Sequence, residues 1–133
     1  MKASMKSTRS RRRQRWVVLV LAVFATGAQA ELVDITWDAA GRFETTLSVP
    51  SGGFVEVCGK LAKGQSITWS FKGDKPTNFN IHYHAGKDVE YPAKLVAVAR
   101  ADDTLQVKIT QDYCWMWSNK SAVPTTLSLT LQR

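Results

Sequence analysis

Apolar residues recur at every second position through most of this chain, and no stretch sustains the spacing of a helix. Phe43, Thr45, Leu47 and Val49 alternate with polar residues. So do Val55 and Val57, then Ile67, Trp69 and Phe71, then Phe79, Ile81 and Tyr83. Leu105, Val107 and Ile109 continue the rhythm, and Leu127, Leu129 and Leu131 close it. Side chains alternate across a strand, so a period of two puts each set on one face. Turn-forming clusters fall between the runs, at residues 50–53, 59–64, 73–76, 86–88 and 102–103. Pro92 is expected to stop a short strand at residues 89–91. Residues 94–100 fit a strand or a helical turn equally well. Many short strands with turns between them imply an all-β domain, an antiparallel β-sandwich or barrel.

Residues 112–119, Asp-Tyr-Cys-Trp-Met-Trp-Ser-Asn, are unusual among these strands. Tyr113, Trp115 and Trp117 share one face, and Cys114 and Met116 the other. Both faces are therefore apolar. A strand of that kind is central, covered on both sides or with one side used for binding.

The first thirty residues read as an export signal rather than part of the fold. Seven of the eighteen Lys and Arg residues precede Trp16, an apolar core follows at residues 16–24, and Ala28-Gln29-Ala30 is an A-x-A cleavage site. The apolar run falls well short of the roughly 20 residues that span a bilayer. Residues 1–30 are thus expected to be a cleaved signal peptide, and residues 31–133 a single domain with no membrane span. Without the signal, eleven basic residues face eleven acidic ones. The basic character of the whole chain belongs to the signal, and nothing in the mature part implies nucleic-acid binding. A monomer or weak oligomer in the periplasm or outside the cell is expected.

Export places the two cysteines, Cys58 and Cys114, in an oxidising compartment. The simplest reading is one disulfide. A pair of free thiols serving as metal ligands is the rival reading, and composition leaves both open.

Cys58 followed by residues 64–71, Gly-Gln-Ser-Ile-Thr-Trp-Ser-Phe, resembles the opening of a GOLD (Golgi-dynamics) domain. Phe79-Asn80-Ile81 is similar to that family's next apolar strand, and residues 113–119 with the Leu127–Leu131 alternation are similar to its closing strands. The resemblance covers about residues 54–132 and implies a GOLD-like, jelly-roll-like β-sandwich. It implies a non-catalytic role in binding proteins or placing them at membranes, and a disulfide between Cys58 and Cys114. The coiled coil and membrane anchor of the family's cargo receptors have no counterpart here.

Two groups of residues are candidates for chemistry. His82 and His84, two apart on a strand, project from the same face and could share a metal ion. Met116 adds a soft thioether, and histidine with sulfur in an exported protein suits copper. The competing reading puts both histidines on a solvated face beside Asn78 and Asn80, with Met116 as core filler. Tyr83, Trp115 and Trp117 could form an aromatic ligand surface, although core packing is the commoner use of such residues. Trp37 precedes the strand pattern and is free to dock on the sandwich or to meet a partner. Asn119-Lys120-Ser121 matches a glycosylation acceptor.

Motifs for a nucleophile elbow, a zinc protease or a phosphate loop are missing from the sequence. The expected function is an exported, non-catalytic module that binds a protein or a small apolar ligand. The alternative is a copper-binding protein using His82, His84 and Met116. N-terminal sequencing of the exported protein should begin at Glu31; a start at Met1 would remove the signal reading.

Overall fold

The computed structural model describes Ala22 and residues 30–133; the rest of the expected signal peptide lies outside the described residues. The described residues form seven strands and no helix. They are β1 (Ala30–Asp34), β2 (Arg42–Val49), β3 (Phe54–Leu61), β4 (Ser66–Ala85), β5 (Asp88–Gln106), β6 (Gln111–Ser118) and β7 (Thr125–Gln132). The domain is all-β, as the alternation requires.

β4 organises the architecture. Twenty residues at about 3.3 Å each would run about 65 Å if straight. A domain of this size has a radius of gyration of about 13 Å, so the strand must bend. Its first half, Thr68–Gly73, pairs with β7. Its second half, Asn78–His82, pairs with β6. β5 runs antiparallel along the other side of both halves. One curled sheet, ordered β1-β3-β6-β4-β7-β2, thereby supplies both layers of the sandwich.

The bend falls where the β4–β5 register shifts, between Lys72 and Thr77. Residues 73–76, expected as a turn, instead continue the strand. Pro76 has no N–H to place in a ladder, which suits a break in the pairing. A Cβ on Gly73 would lie 3.2 Å from the Lys75 carbonyl oxygen, so glycine permits the tight backbone there. On β5 the irregularity continues to Ala97, whose φ of 52° is left-handed. Its N–H donates to Asn78 Oδ1 at 3.1 Å, which satisfies a group the ladder leaves unpaired.

Other expected turns are strand as well. β3 runs on to Leu61, and β5 passes through both Pro92 and residues 102–103. Residues 94–100 are strand rather than helical turn. Ile109 falls outside a strand and is exposed, whereas Leu105 and Val107 are buried. β1 lies parallel to β3, an exception to the antiparallel pattern. Trp37 docks on the core, half-buried, with the Arg133 guanidinium 5.0 Å above its ring.

The core fills with the odd-numbered residues of β3, β4, β6 and β7. Trp115 and Trp117 have no exposed surface and Tyr113 is 1 % exposed. Trp69, Phe71, Phe79 and Trp117 form an aromatic cluster, with Phe71 and Phe79 centroids 4.7 Å apart and Trp117 edge-on to Phe71 at 5.4 Å. The indole N–H groups of Trp115 and Trp117 have no hydrogen-bond partner. An unpaired buried donor costs about 1–3 kcal/mol, so ring burial and stacking must outweigh that cost. Trp117→Ala is expected to cost about 3–5 kcal/mol, read as a lower urea midpoint. A change below about 1 kcal/mol would show that the ring is not a core element.

Candidate functional site

β3 and β6 pair with Cys58 directly opposite Cys114, and β6 and β4 pair with Cys114 opposite His82. The three side chains therefore share the outer face of this layer, away from the aromatic core. Cys58 and Cys114 form a disulfide with their Cα atoms 4.1 Å apart. It staples two strands already joined by a ladder of eight residue pairs. Closing a loop of this length is worth about 3–4 kcal/mol in the chain-entropy account. Glu56, two residues before Cys58, points to the same face.

His82 is the least exposed member of this face, at 6 %. Its Nδ1–H donates to Asn80 Oδ1 at 2.8 Å. Its Nε2 lies 3.6 Å from Glu56 Oε1, too far for a hydrogen bond. The His84 ring stands edge-on at 5.6 Å, and the Tyr91 ring lies at 6.1 Å. Burial lowers the His82 pKa below its usual 6.5. The nearby Glu56 carboxylate opposes that shift and His84 adds to it.

Of the residues proposed for copper, His82 and His84 do come together on one face. Met116 stands opposite Asn80 on one side and Glu56 on the other, one step along the ladder from His82. Neither histidine joins a third His, Cys or acidic donor in a cluster that could hold an ion. Among the described residues, the one such group is Glu56, Cys58 and Cys114, and both of its sulfurs are committed to the disulfide. The expected aromatic surface also needs correction. Trp115 and Trp117 are wholly buried and offer nothing to a ligand, because alternation turns them inward, where Trp117 packs on Phe71 and Phe79 of β4. Tyr83 alone of that set is half-buried, its ring tilted against that of Tyr113 with centroids 4.8 Å apart. The glycosylation match at Asn119 is likewise committed: the residue is 2 % exposed. Its Nδ2 donates to the carbonyls of Val49 and Val123, and its Oδ1 accepts from Ser121. The folded protein has no room for a glycan there.

A groove of about 340 Å³ opens on the inner side, where β5 leaves the sandwich edge. Trp69, Tyr83 and Tyr113 make its floor, and Glu90, Asp103 and Lys108 stand at its exposed rim. The pairing explains the carboxylates: Asp103 faces Trp69 and Glu90 faces Tyr83 across the β4–β5 ladder, so both share the inner face. Tyr113 is held by a hydrogen bond from its hydroxyl to the Ile109 carbonyl at 3.0 Å, and burial raises its pKa. No His, Cys or Ser lines this groove among the described residues. Tyr91 also lines the groove, and beside it β5 exposes Val89, Leu95 and Val96, the last 73 % exposed. Sequence reasoning did not single out Glu56 or Tyr91 as site residues, and it broke this strand at Pro92. The signal available was a run of apolar residues without the alternation of a covered strand.

No protein-family model matches the chain, and no curated protein matches it in sequence. Its fold does match solved structures. PliG of Aeromonas hydrophila, a periplasmic lysozyme inhibitor of g-type lysozyme, superposes with a TM-score of 0.60 at 14 % identity. The match covers 80 % of this chain and 100 % of that one. The pre-peptidase C-terminal domain of a Bacillus anthracis collagenase gives 0.58 at 12 % identity, covering 80 % and 97 %. PliG of Salmonella Typhimurium gives 0.53 at 8 % identity, covering 77 % and 97 %. At these identities the likeness is one of fold.

The lowered pKa of His82 has a consequence for stability. The folded state holds this imidazole neutral at pH values where the unfolded chain protonates it. Its contribution is therefore present above about pH 6.5 and lost as pH falls through the folded pKa. Glu56, His84, Asn80 and Tyr91 face the ring. Stability of the wild type should fall more steeply than that of His82→Asn as pH drops below about 6.5. Parallel urea-denaturation curves for the two proteins across that range would refute the assignment.

Proposed function

We propose that this chain is an exported, non-catalytic binding module whose partner is another protein. The observation that carries the reading is the exposed apolar strip along β5, Val89, Tyr91, Leu95 and Val96, beside a groove with an aromatic floor. Apolar side chains concentrated on one strand edge suit a macromolecular partner better than solvent. Tyr91 has the character of an interface anchor, an amphipathic ring stiffened by Lys94, whose ammonium lies 4.8 Å from the ring centroid. Export to the periplasm or beyond fits the basic, apolar and A-x-A order of residues 1–30 and the disulfide. The GOLD-like pattern of residues 54–132 supports the same class, a β-sandwich that binds rather than catalyses.

The fold shared with two PliG proteins, named for inhibiting g-type lysozyme, makes that enzyme the first partner to test. A second reading, a small apolar ligand in the groove, draws on the aromatic floor. The test is the clearing of a peptidoglycan suspension by a g-type lysozyme, with and without the mature protein. Inhibition is expected, weakened about tenfold or more in Tyr91→Ala/Val96→Asp. Inhibition untouched by that double variant would move the interface off β5. Absence of both inhibition and binding would discard lysozyme as the partner.

A further inference from the structure

The aromatic groove carries negative charge that the molecule leaves unanswered. Asp103 faces Trp69, on the half of β4 that pairs with β7. Glu90 faces Tyr83, just past the stretch of β4 that pairs with β6. β5 bends between the two at the left-handed Ala97, so one strand delivers a carboxylate to the same groove from each of its arms. Among the described residues, neither carboxylate joins an ion pair, not even with Lys108, the one cation lining the groove. Asp103 Oδ1 accepts the Thr104 N–H at 2.7 Å, which orients that carboxylate without neutralising it. Two negative charges against one positive leave the groove acidic, and its apolar walls concentrate the field.

The floor favours the same kind of occupant. The Tyr83 ring is half-buried and tilted against Tyr113, whose hydroxyl is already given to the Ile109 carbonyl. Carboxylate oxygens and an aromatic face both attract a cation. A wholly apolar occupant would strip water from the carboxylates with nothing in return. The volume of about 340 Å³ is at the lower end for a ligand cavity, room for one long side chain.

We propose that this groove receives one arginine side chain of the protein partner, its guanidinium lying on the Tyr83 ring and hydrogen-bonded to Glu90 and Asp103. The site deepens the protein-binding reading and rests on it for the source of the side chain. Arginine suits the groove better than lysine. Its planar fork can serve two carboxylates at once, its face stacks on an aromatic ring, and it sheds water more readily than an ammonium. It is also a frequent anchor at the centre of protein interfaces.

The test is an amide NMR titration of the mature protein with N-acetylarginine methylamide, beside its citrulline and lysine counterparts. Citrulline keeps the shape of arginine and lacks its charge. The arginine compound should shift the resonances of Tyr83, Glu90 and Asp103, with a dissociation constant of about millimolar order. The citrulline compound should bind at least about tenfold more weakly, and the lysine compound more weakly than arginine. Glu90→Gln/Asp103→Asn, which keeps the size of both side chains, should weaken arginine binding at least about tenfold. Citrulline binding as tightly as arginine overturns the site, and needs no variant to show it. So does an absence of shifts at these residues, or arginine binding unchanged in the double variant. Equal binding of the lysine compound overturns arginine as the occupant. None of these probes needs the partner protein. Failure here, with inhibition still weakened in Tyr91→Ala/Val96→Asp, strikes the groove and leaves the β5 interface; shifts here without lysozyme inhibition strike lysozyme and leave the groove.

Discussion

The antiparallel pairing of β3 with β6 sets two chemistries back to back. On the inner side Val55 faces Trp117 and Val57 faces Trp115, and the pairs are sealed from water. On the outer side Glu56 faces Met116 and Cys58 faces Cys114. A slip of β6 by one residue would turn its tryptophans outward and put Cys114 and Met116 into the core, away from Cys58. Burial of two indoles and covalent closure of the sulfurs both oppose that slip. The register is thus fixed from both faces at once, and everything on the outer face inherits its position from the aromatic packing beneath.

β4 extends the same logic to the whole sandwich. Its odd-numbered residues stay inward through the bend, from Ile67, Trp69 and Phe71 to Phe79 and Ile81. One strand therefore feeds aromatics into both layers, and the cluster of Trp69, Phe71, Phe79 and Trp117 forms where the layers meet. The groove is a by-product of this geometry. β5 follows β4 around the bend but has no strand beyond it, so the inner face at that edge stays open. Trp69 and Tyr83 become a floor instead of being covered by another layer.

Much of this was legible in the residues. Alternation gave the all-β class, the inward face of β6 and the outward face of the cysteines. Export and a count of two made one disulfide the simplest reading, and the structure forms it. The bend was not legible, because Gly73 and Pro76 look the same in a turn as in a broken ladder. A clue was present: the apolar residues keep odd numbering from Ile67 to Tyr83, so the strand never changes phase. The state of His82 could not be read either. It follows from Asn80, Glu56, His84 and Tyr91 closing over the ring, and Tyr91 comes from a strand that Pro92 seemed to cut short. Trp115 and Trp117 as a ligand surface failed for a plain reason. Alternation already placed them with Tyr113 on the face that a small sandwich needs for its core.

The free edge of β5 limits how a partner could engage it. A long open edge invites another chain to add a strand, and proteins guard such edges with proline, charge and irregular backbone. All three devices occur here. Pro92 lacks an N–H, Lys94 places charge on the strand, and the left-handed Ala97 breaks the ladder geometry. Strand addition across residues 92–97 would need a regular row of donors and acceptors that this backbone does not present. The apolar side chains on the same strand remain accessible. A partner at this edge therefore has to be recognised through Tyr91, Leu95 and Val96 and the groove rim, by surface packing instead of shared sheet.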